Sequence, residues 1–314
     1  MRYALIAFLC SAFSVMAFGQ TPSRTIAVTI DDLPVVSTRG DLKNRQTITK
    51  NLLGHIKKAK VPAIGFVNEN KLYKDGERNE AQIALLKMWL DAGLELGNHT
   101  FSHRSLNTIE LKDYQEDLLK GETITNGLLA EQGKKMRYFR HPYLQTGMTM
   151  EIKSDFDKFL SHHGYTIAPV SHDNADYIFS RAYDLAFDKG DKKLMKQIGD
   201  AYVPYMEAKL EYWERQSVKL FGREVSQTLL IHANFINSDY FDDLAKMFRE
   251  RGYRFVDLET ALKDDAYRTP DRFLGRGGIS WLHRWALERG KGNILPDEPK
   301  VPEFVLKASG FESE

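Results

Sequence analysis

The chain has 314 residues, 42% of them hydrophobic and 28% charged, with 44 basic residues against 43 acidic ones. That balance argues against nucleic acid or an anionic membrane as a partner, and the length suits one large α/β domain or two small ones. The single cysteine, Cys10, rules out an internal disulfide framework.

The first residues do not read as part of a globule. Met1-Arg2-Tyr3 supplies one positive charge, and residues 4–18 are apolar or small, too short a stretch to span a bilayer comfortably. Ala17-Phe18-Gly19 and Val15-Met16-Ala17 are both small-x-small cleavage sites. Residues 1–19 are therefore expected to be a signal peptide, cut before Gln20 or Phe18, with export to the periplasm or beyond the cell. No stable membrane insertion is expected after cleavage. Cys10 would leave with the leader, and Leu9 before it is not the small residue a lipoprotein site wants.

Residues 25–30, rich in β-branched side chains, read as a buried strand ending in Asp31-Asp32-Leu33-Pro34. Residues 44–60 carry Ile48, Leu52, Leu53 and Ile56 at helical spacing, and 62–67 form a second strand. An amphipathic helix over 80–92 leads into a short strand that ends at Gly97, just before His99-Thr100-Phe101-Ser102-His103. A long helix is expected over 110–131 and a strand over 136–140, followed by His141-Pro142-Tyr143. A helix over 150–162 and a strand over 165–170 come next. After an interruption come a strand at 228–232, a helix at 240–251 and a last strand at 253–256. About seven strands alternating with helices predict a parallel α/β arrangement, closed or nearly closed into a barrel.

Two regions fall outside this alternation. Residues 178–225 read as a helical insertion whose Tyr202, Tyr205, Tyr212 and Trp213 pack on the barrel or wall a substrate cleft. Residues 269–314 read as a carboxyl-terminal extension. In it Trp281, Leu282, Trp285 and Ala286 make a docked helical face, and a Pro-, Lys- and Glu-rich tail from Pro296 is expected to be loosely held.

Polar groups gather where strands end. His99 and His103 stand four apart; on a helical turn that spacing puts both imidazoles on one side of one metal ion. Asp31-Asp32 follows the first strand, and adjacent carboxylates on an extended chain point in different directions, so one could bind metal while the other acts as base. Arg140, the run Asp173-Asn174-Ala175-Asp176-Tyr177, and His232 lie at three further strand ends. His162-His163, His55, His283 and Gly275-Arg276-Gly277-Gly278 read as structural.

The order Thr-Ile-Asp-Asp, His-Thr-x-x-His, Arg-x-Pro-Tyr, Asp-x-x-Asp-Tyr, Leu-x-His resembles the five motifs of the polysaccharide deacetylase family. This is the NodB-homology, family 4 carbohydrate esterase group, and the resemblance covers roughly residues 25–260. It implies a distorted (β/α)7-type barrel, here as a catalytic domain over 20–268 with the insertion and extension added. It also implies roles for individual residues. Asp31 would be general base and Arg140 its partner; Asp32, His99 and His103 would hold a divalent metal. Zn²⁺ suits that triad, and Co²⁺ or Ni²⁺ could take its place. His232 would be general acid, paired with Asp176, and the Tyr143 backbone N–H would help hold the oxyanion. Leu230 would line the acetyl pocket, Thr100 would support the histidine loop, and Pro142 and Tyr177 would meet substrate.

Two departures stand out: Leu144 where the family usually has Gly, and Tyr177 where it often has Trp. His141 is an unusual neighbour, either a surface side chain or a substrate contact. The implied function is removal of N-acetyl groups from an N-acetylated glycan. The alternatives are a related amidohydrolase or O-deacetylase, and a non-catalytic glycan-binding relic. The oligomeric state cannot be read from the sequence.

Overall fold

The computed structural model describes residues 24–292 and 296–314. The expected leader lies outside the described residues. Among the described residues, no helix is long and apolar enough to cross a membrane.

The first strand, β1 (Thr25–Leu33), is followed by α1 (Leu42–Lys58), β2 (Ile64–Val67), a small hairpin of β3 (Tyr73–Lys74) and β4 (Glu77–Arg78), and α2 (Glu80–Asp91). Then come β5 (Glu95–Asn98), α3 (Leu111–Lys120), α4 (Thr123–Ala130), β6 (Tyr138–Phe139), α5 (Met150–His162) and β7 (Thr166–Ile167). The expected insertion is a pair of helices, α6 (Asp176–Asp188) and α7 (Lys192–Phe221). The chain ends with β8 (Gln227–His232), α8 (Phe235–Glu250), β9 (Arg254–Phe255), α9 (Leu258–Ala261), α10 (Trp281–Glu288) and α11 (Glu303–Ser309).

The main sheet is parallel, in the order β7-β6-β5-β2-β1-β8, with β9 joined to the start of β1. An isolated bridge between His172 and Leu229 ties the chain just after β7 to β8, so the curled sheet returns on itself. Asp31 and His232 are direct register partners across β1 and β8.

Alternation along the strands decides which side chains meet. Ile26, Val28 and Ile30 join the large core under the helices. Ala27, Ile64, Phe66, Tyr138 and Ala168 form a separate inward cluster. The inward parity of β1 continues through Thr29 to Asp31, that of β6 runs from Tyr138 to Arg140, and that of β8 ends on His232. All three polar groups thus reach the carboxyl-terminal mouth of the sheet, above a packed interior.

Three expectations need correction. The helix expected over 110–131 is broken at Gly121, where a Cβ would meet the Thr100 carbonyl carbon and the Phe101 nitrogen at 2.5 Å each. Only glycine lets α3 press so close to the histidine loop. His99 and His103 are not on a helix: the loop between them turns through positive φ at Thr100 (63°) and His103 (53°). The tail from Pro296 is not loose, since α11 docks with Val305 fully buried and the Arg181 Nε donates to the Ser309 carbonyl at 2.9 Å. Tyr202, Tyr212 and Trp213 of α7 are fully buried, as packing rather than an open wall requires.

Candidate active site

Asp32 adopts φ 68°, and the β1–β2 register shifts between Ile30 and Leu33. The irregularity breaks the two-residue alternation, so the neighbouring carboxylates do not diverge as an ideal strand would make them. Asp31 Oδ2 lies 3.7 Å and Asp32 Oδ1 3.5 Å from the same atom, His99 Nε2. His103 Nε2 is 3.3 Å from Asp32 Oδ1. A ligand atom from each of Asp32, His99 and His103 falls within 4.8 Å of the others.

The histidine loop is held by its neighbours. Thr100 N–H donates to Asn98 Oδ1 at 2.7 Å, and His103 N–H donates to Thr100 Oγ1 at 3.0 Å. Asp117 accepts from the Ser102 backbone at 3.0 Å and from its hydroxyl at 2.7 Å. His99 Nδ1–H donates to the Arg140 carbonyl at 2.8 Å, which leaves the Nε2 lone pair facing Asp32. Burial lowers the pKa of both imidazoles, which favours their neutral, metal-binding form. Asp32 Oδ1 is buried without a hydrogen-bond partner. Three converging lone pairs repel one another unless a cation stands between them, so these residues fit a divalent metal with a His₂Asp set.

Burial pushes the Asp31 carboxyl up to about 6, against the opposing pull of Arg140. Arg140 Nη1 is 3.8 Å from Asp31 Oδ2, a charged neighbour rather than a hydrogen-bond donor, while its Nη2 donates to Thr29 Oγ1 at 2.6 Å. Asp31 Oδ1 has no hydrogen-bond partner. On the other side, His232 Nδ1–H donates to Asp176 Oδ1 at 2.7 Å. Asp176 Oδ2 accepts from the His232 backbone N–H at 2.9 Å and from Asn237 Nδ2 at 2.8 Å. Burial opposes a charge on His232, but Asp176 outweighs it and takes the imidazole up to about 9.

A cavity of about 900 Å³ opens over these groups and is lined by Asp31, Asp32, His99, His103, Tyr143, Tyr177, Leu230 and His232. Arg140 and Asp176 stand behind Asp31 and His232, and Pro142 is buried in a 3₁₀ turn away from the lining.

Residues 18–168 match the family described as polysaccharide deacetylase. That stretch, just under half of the chain, is similar to the family. The matched residues carry Asp31, Asp32, His99, His103 and Arg140 and end before Asp176 and His232.

Among solved structures, a mutant of BA3943 described as a CE4 family pseudoenzyme with restored enzymatic activity has a TM-score of 0.52 at 16% identity, over 77% of this chain and 68% of that one. A second BA3943 mutant, described as a CE4 family pseudoenzyme, gives 0.51 with the same identity and coverage. BA3943 comes from Bacillus anthracis. The peptidoglycan deacetylase PdaC of Bacillus subtilis is 22% identical over 77% of this chain and 93% of its own, with a TM-score of 0.48. At 16% identity, the two BA3943 likenesses describe the fold alone. No curated protein sequence matches the chain.

The departures from the polysaccharide deacetylase pattern have local explanations. Tyr143 and Leu144 both take positive φ, 57° and 53°. At Leu144 this is the conformation a glycine adopts freely and a leucine adopts at a cost of roughly 1–2 kcal/mol. Packing offsets it, because Leu144 is buried with Trp281 and Trp285 of α10, and Arg284 donates to the Leu144 carbonyl. Gly278, in the glycine-rich run read as structural, lies under this turn: a Cβ there would stand 1.6 Å from the Tyr143 carbonyl oxygen. His141 is not a surface side chain. It is 1% exposed and packs edge-on against Phe139 and Phe156, with its ring centroid 4.9 Å and 5.4 Å from theirs. Tyr177 is 44% exposed at the cavity edge, its ring 5.8 Å from Phe311.

Sequence reasoning missed Lys71. It follows β2 in the turn Glu69–Leu72, and its Nζ donates to the Asp32 carbonyl at 2.7 Å and lies 3.9 Å from Asp32 Oδ2. Its position just past a strand end was the available signal. Asp117 and Lys209 were missed as well, both inside ordinary amphipathic helices where nothing marks them out.

Proposed function

We propose that this chain is an exported, metal-dependent N-deacetylase acting on an N-acetylated saccharide. One observation carries the reading. A buried carboxylate with a free oxygen (Asp31) and an imidazole held protonated by its own carboxylate (His232 with Asp176) flank a His₂Asp metal set in one cavity. Asp32, His99 and His103 would hold a divalent ion, which would supply Lewis-acid polarisation of the acetyl carbonyl. Asp31 takes the proton from the attacking water as the new C–O bond forms. His232 gives its proton to the nitrogen as the C–N bond breaks, which an amide needs because an amide anion will not leave unaided. Arg140 favours the ionised form of Asp31, and Asp176 favours the protonated form of His232.

A protonated imidazole at the cavity suits an amide, whose nitrogen needs a proton to leave, more than an O-acetyl ester, whose alkoxide leaves with less help. The base, the acid and all three ligand positions are occupied by competent residues, which argues against a relic site. The test is acetate release by metal-loaded protein from a panel of N-acetylated and O-acetylated saccharides. Release from the N-acetylated members is expected. Release from esters alone overturns the N-deacetylase reading, and release from none overturns the enzyme.

A further inference from the structure

The cavity that holds the proposed metal ligands has a second wall made by the end of the chain. Glu298, Leu306, Glu312 and Glu314 line the same space as Asp32 and His232. This wall is latched. Lys209 of α7, only 3% exposed, pairs with Glu298 and lies 3.4 Å from Glu314 Oε1. Tyr205 Oη donates to Glu314 Oε1 at 3.1 Å, and the Val301 N–H donates to Glu314 Oε2 at 2.9 Å. Glu314 is thereby fixed from three directions, two of them on α7. Outside the cavity, Val305 is fully buried and Arg181 binds the Ser309 carbonyl while its guanidinium lies 5.8 Å from the Phe311 ring centroid.

The wall stands on the side of the acid. Tyr177 directly follows Asp176, the partner of His232, and its ring meets Phe311 edge-on at 5.8 Å. Any sugar unit continuing past the reacting nitrogen on that side runs into the tail. The opposite side, by the metal ligands, carries Tyr143, whose side chain is 57% exposed above His103. A site of about 900 Å³ with the tail as one wall falls in the range of pockets that enclose a small molecule, roughly 300–1,000 Å³.

Resting on the deacetylase reading, we infer that the substrate is a terminal sugar unit or short saccharide, admitted end-on, and that the latched segment 296–314 excludes the interior units of a polymer. Substrate length is thus set by the segment 296–314, through α11 and the Lys209 latch.

The experiment uses the full metal-loaded protein with N-acetylhexosamine oligomers of one to six units and a soluble polymer of the same unit. Acetate release and the position of the freed amine, read by fragmentation mass spectrometry, are followed alongside oligomer affinity by calorimetry. Deacetylation confined to one terminal unit is expected, with affinity that stops rising after two or three units. The variants Arg181→Ala and Val305→Asp loosen α11 without touching the cavity lining. Each should raise the share of interior deacetylation at least ~10-fold, and Arg181→Ala answers the question if Val305→Asp fails to fold. Interior units deacetylated by the intact chain as readily as terminal ones overturn the inference, as does a product pattern unchanged in a folded variant. If no oligomer releases acetate, the deacetylase reading fails. The dependence of affinity on length, and its change in Arg181→Ala, then still judge the wall: affinity that climbs steadily to six units in the intact chain, or no binding at any length, overturns it.

Discussion

Asp176 Oδ1 accepts from His232 Nδ1 at 2.7 Å, while the other oxygen of the same carboxylate accepts from the His232 backbone at 2.9 Å. The carboxylate therefore grips both the ring and the strand that carries it. Its charge also raises the imidazole to about 9, so the protonated ring persists below that pH and is lost above it. The activity should accordingly fall as pH rises through about 9. In Asp176→Asn the alkaline limb should move down toward the ordinary imidazole range near ~6.5. A pH–rate profile of the two proteins decides this; an alkaline limb that stays put in the variant removes His232 as the acid.

Asp31 and Asp32 should separate cleanly by mutation. Asp31→Asn keeps all three metal ligands and should lose ~10²–10⁴-fold in rate, the usual scale for a positioned base. Because burial raises the Asp31 carboxyl to about 6, wild-type activity should climb as pH rises through that value. Asp32→Asn should instead lose metal, since the only charged ligand goes. Elemental analysis after dialysis checks both, and a reversed result would exchange the two roles.

His99→Ala and His103→Ala should each abolish stoichiometric metal binding. Chelation of the wild type should end activity while leaving the far-ultraviolet circular dichroism intact, because the inward cluster of Ala27, Ile64 and Phe66 packs without help from the rim. A large loss of helical signal on chelation would make the site structural instead.

Gly278→Ala should act at a distance from the metal. Its Cβ would collide with the Tyr143 carbonyl, so the turn must shift. Metal content should be unchanged, while the rate falls by up to ~10²-fold, as misplacement of a group by about 1 Å can cost. Wild-type kinetics in a folded Gly278→Ala protein would show that the position of Tyr143 does not matter to the reaction.

The strand-end motifs and the number of strands were legible because both follow from local pattern: β-branched runs, and polar residues placed just after them. Strand lengths were not. The stretches read at 136–140, 165–170 and 253–256 pair as two-residue strands, since their outer residues bend toward loops that no periodicity records. The spacing of His99 and His103 correctly drew attention to the pair but gave the wrong geometry. Histidines four apart also meet on a loop when Thr100 and His103 turn left-handed and α3 presses on it through Gly121. Arg140 was expected as the partner of Asp31; at 3.8 Å in a buried setting it only partly offsets the cost of burying the charge. The docking of the tail was invisible because it depends on Lys209, over a hundred positions from Glu314 and inconspicuous in its own helix.

The register pairing of Asp31 with His232 has a consequence for how such an enzyme can change. The two groups proposed to move protons sit on adjacent strands, whose separation is fixed at about 4.8 Å by backbone hydrogen bonds common to every parallel sheet. No loop sets that spacing. The α6–α7 pair, the α10 buttress and the latched terminus can therefore lengthen, shorten or swap partners while the reaction keeps its ruler. Diversification of what is cleaved and conservation of how it is cleaved would then fall on different parts of the chain, so that recombining this tail with another barrel of the same kind should transfer a preference for substrate length while leaving the pH dependence of the recipient as it was.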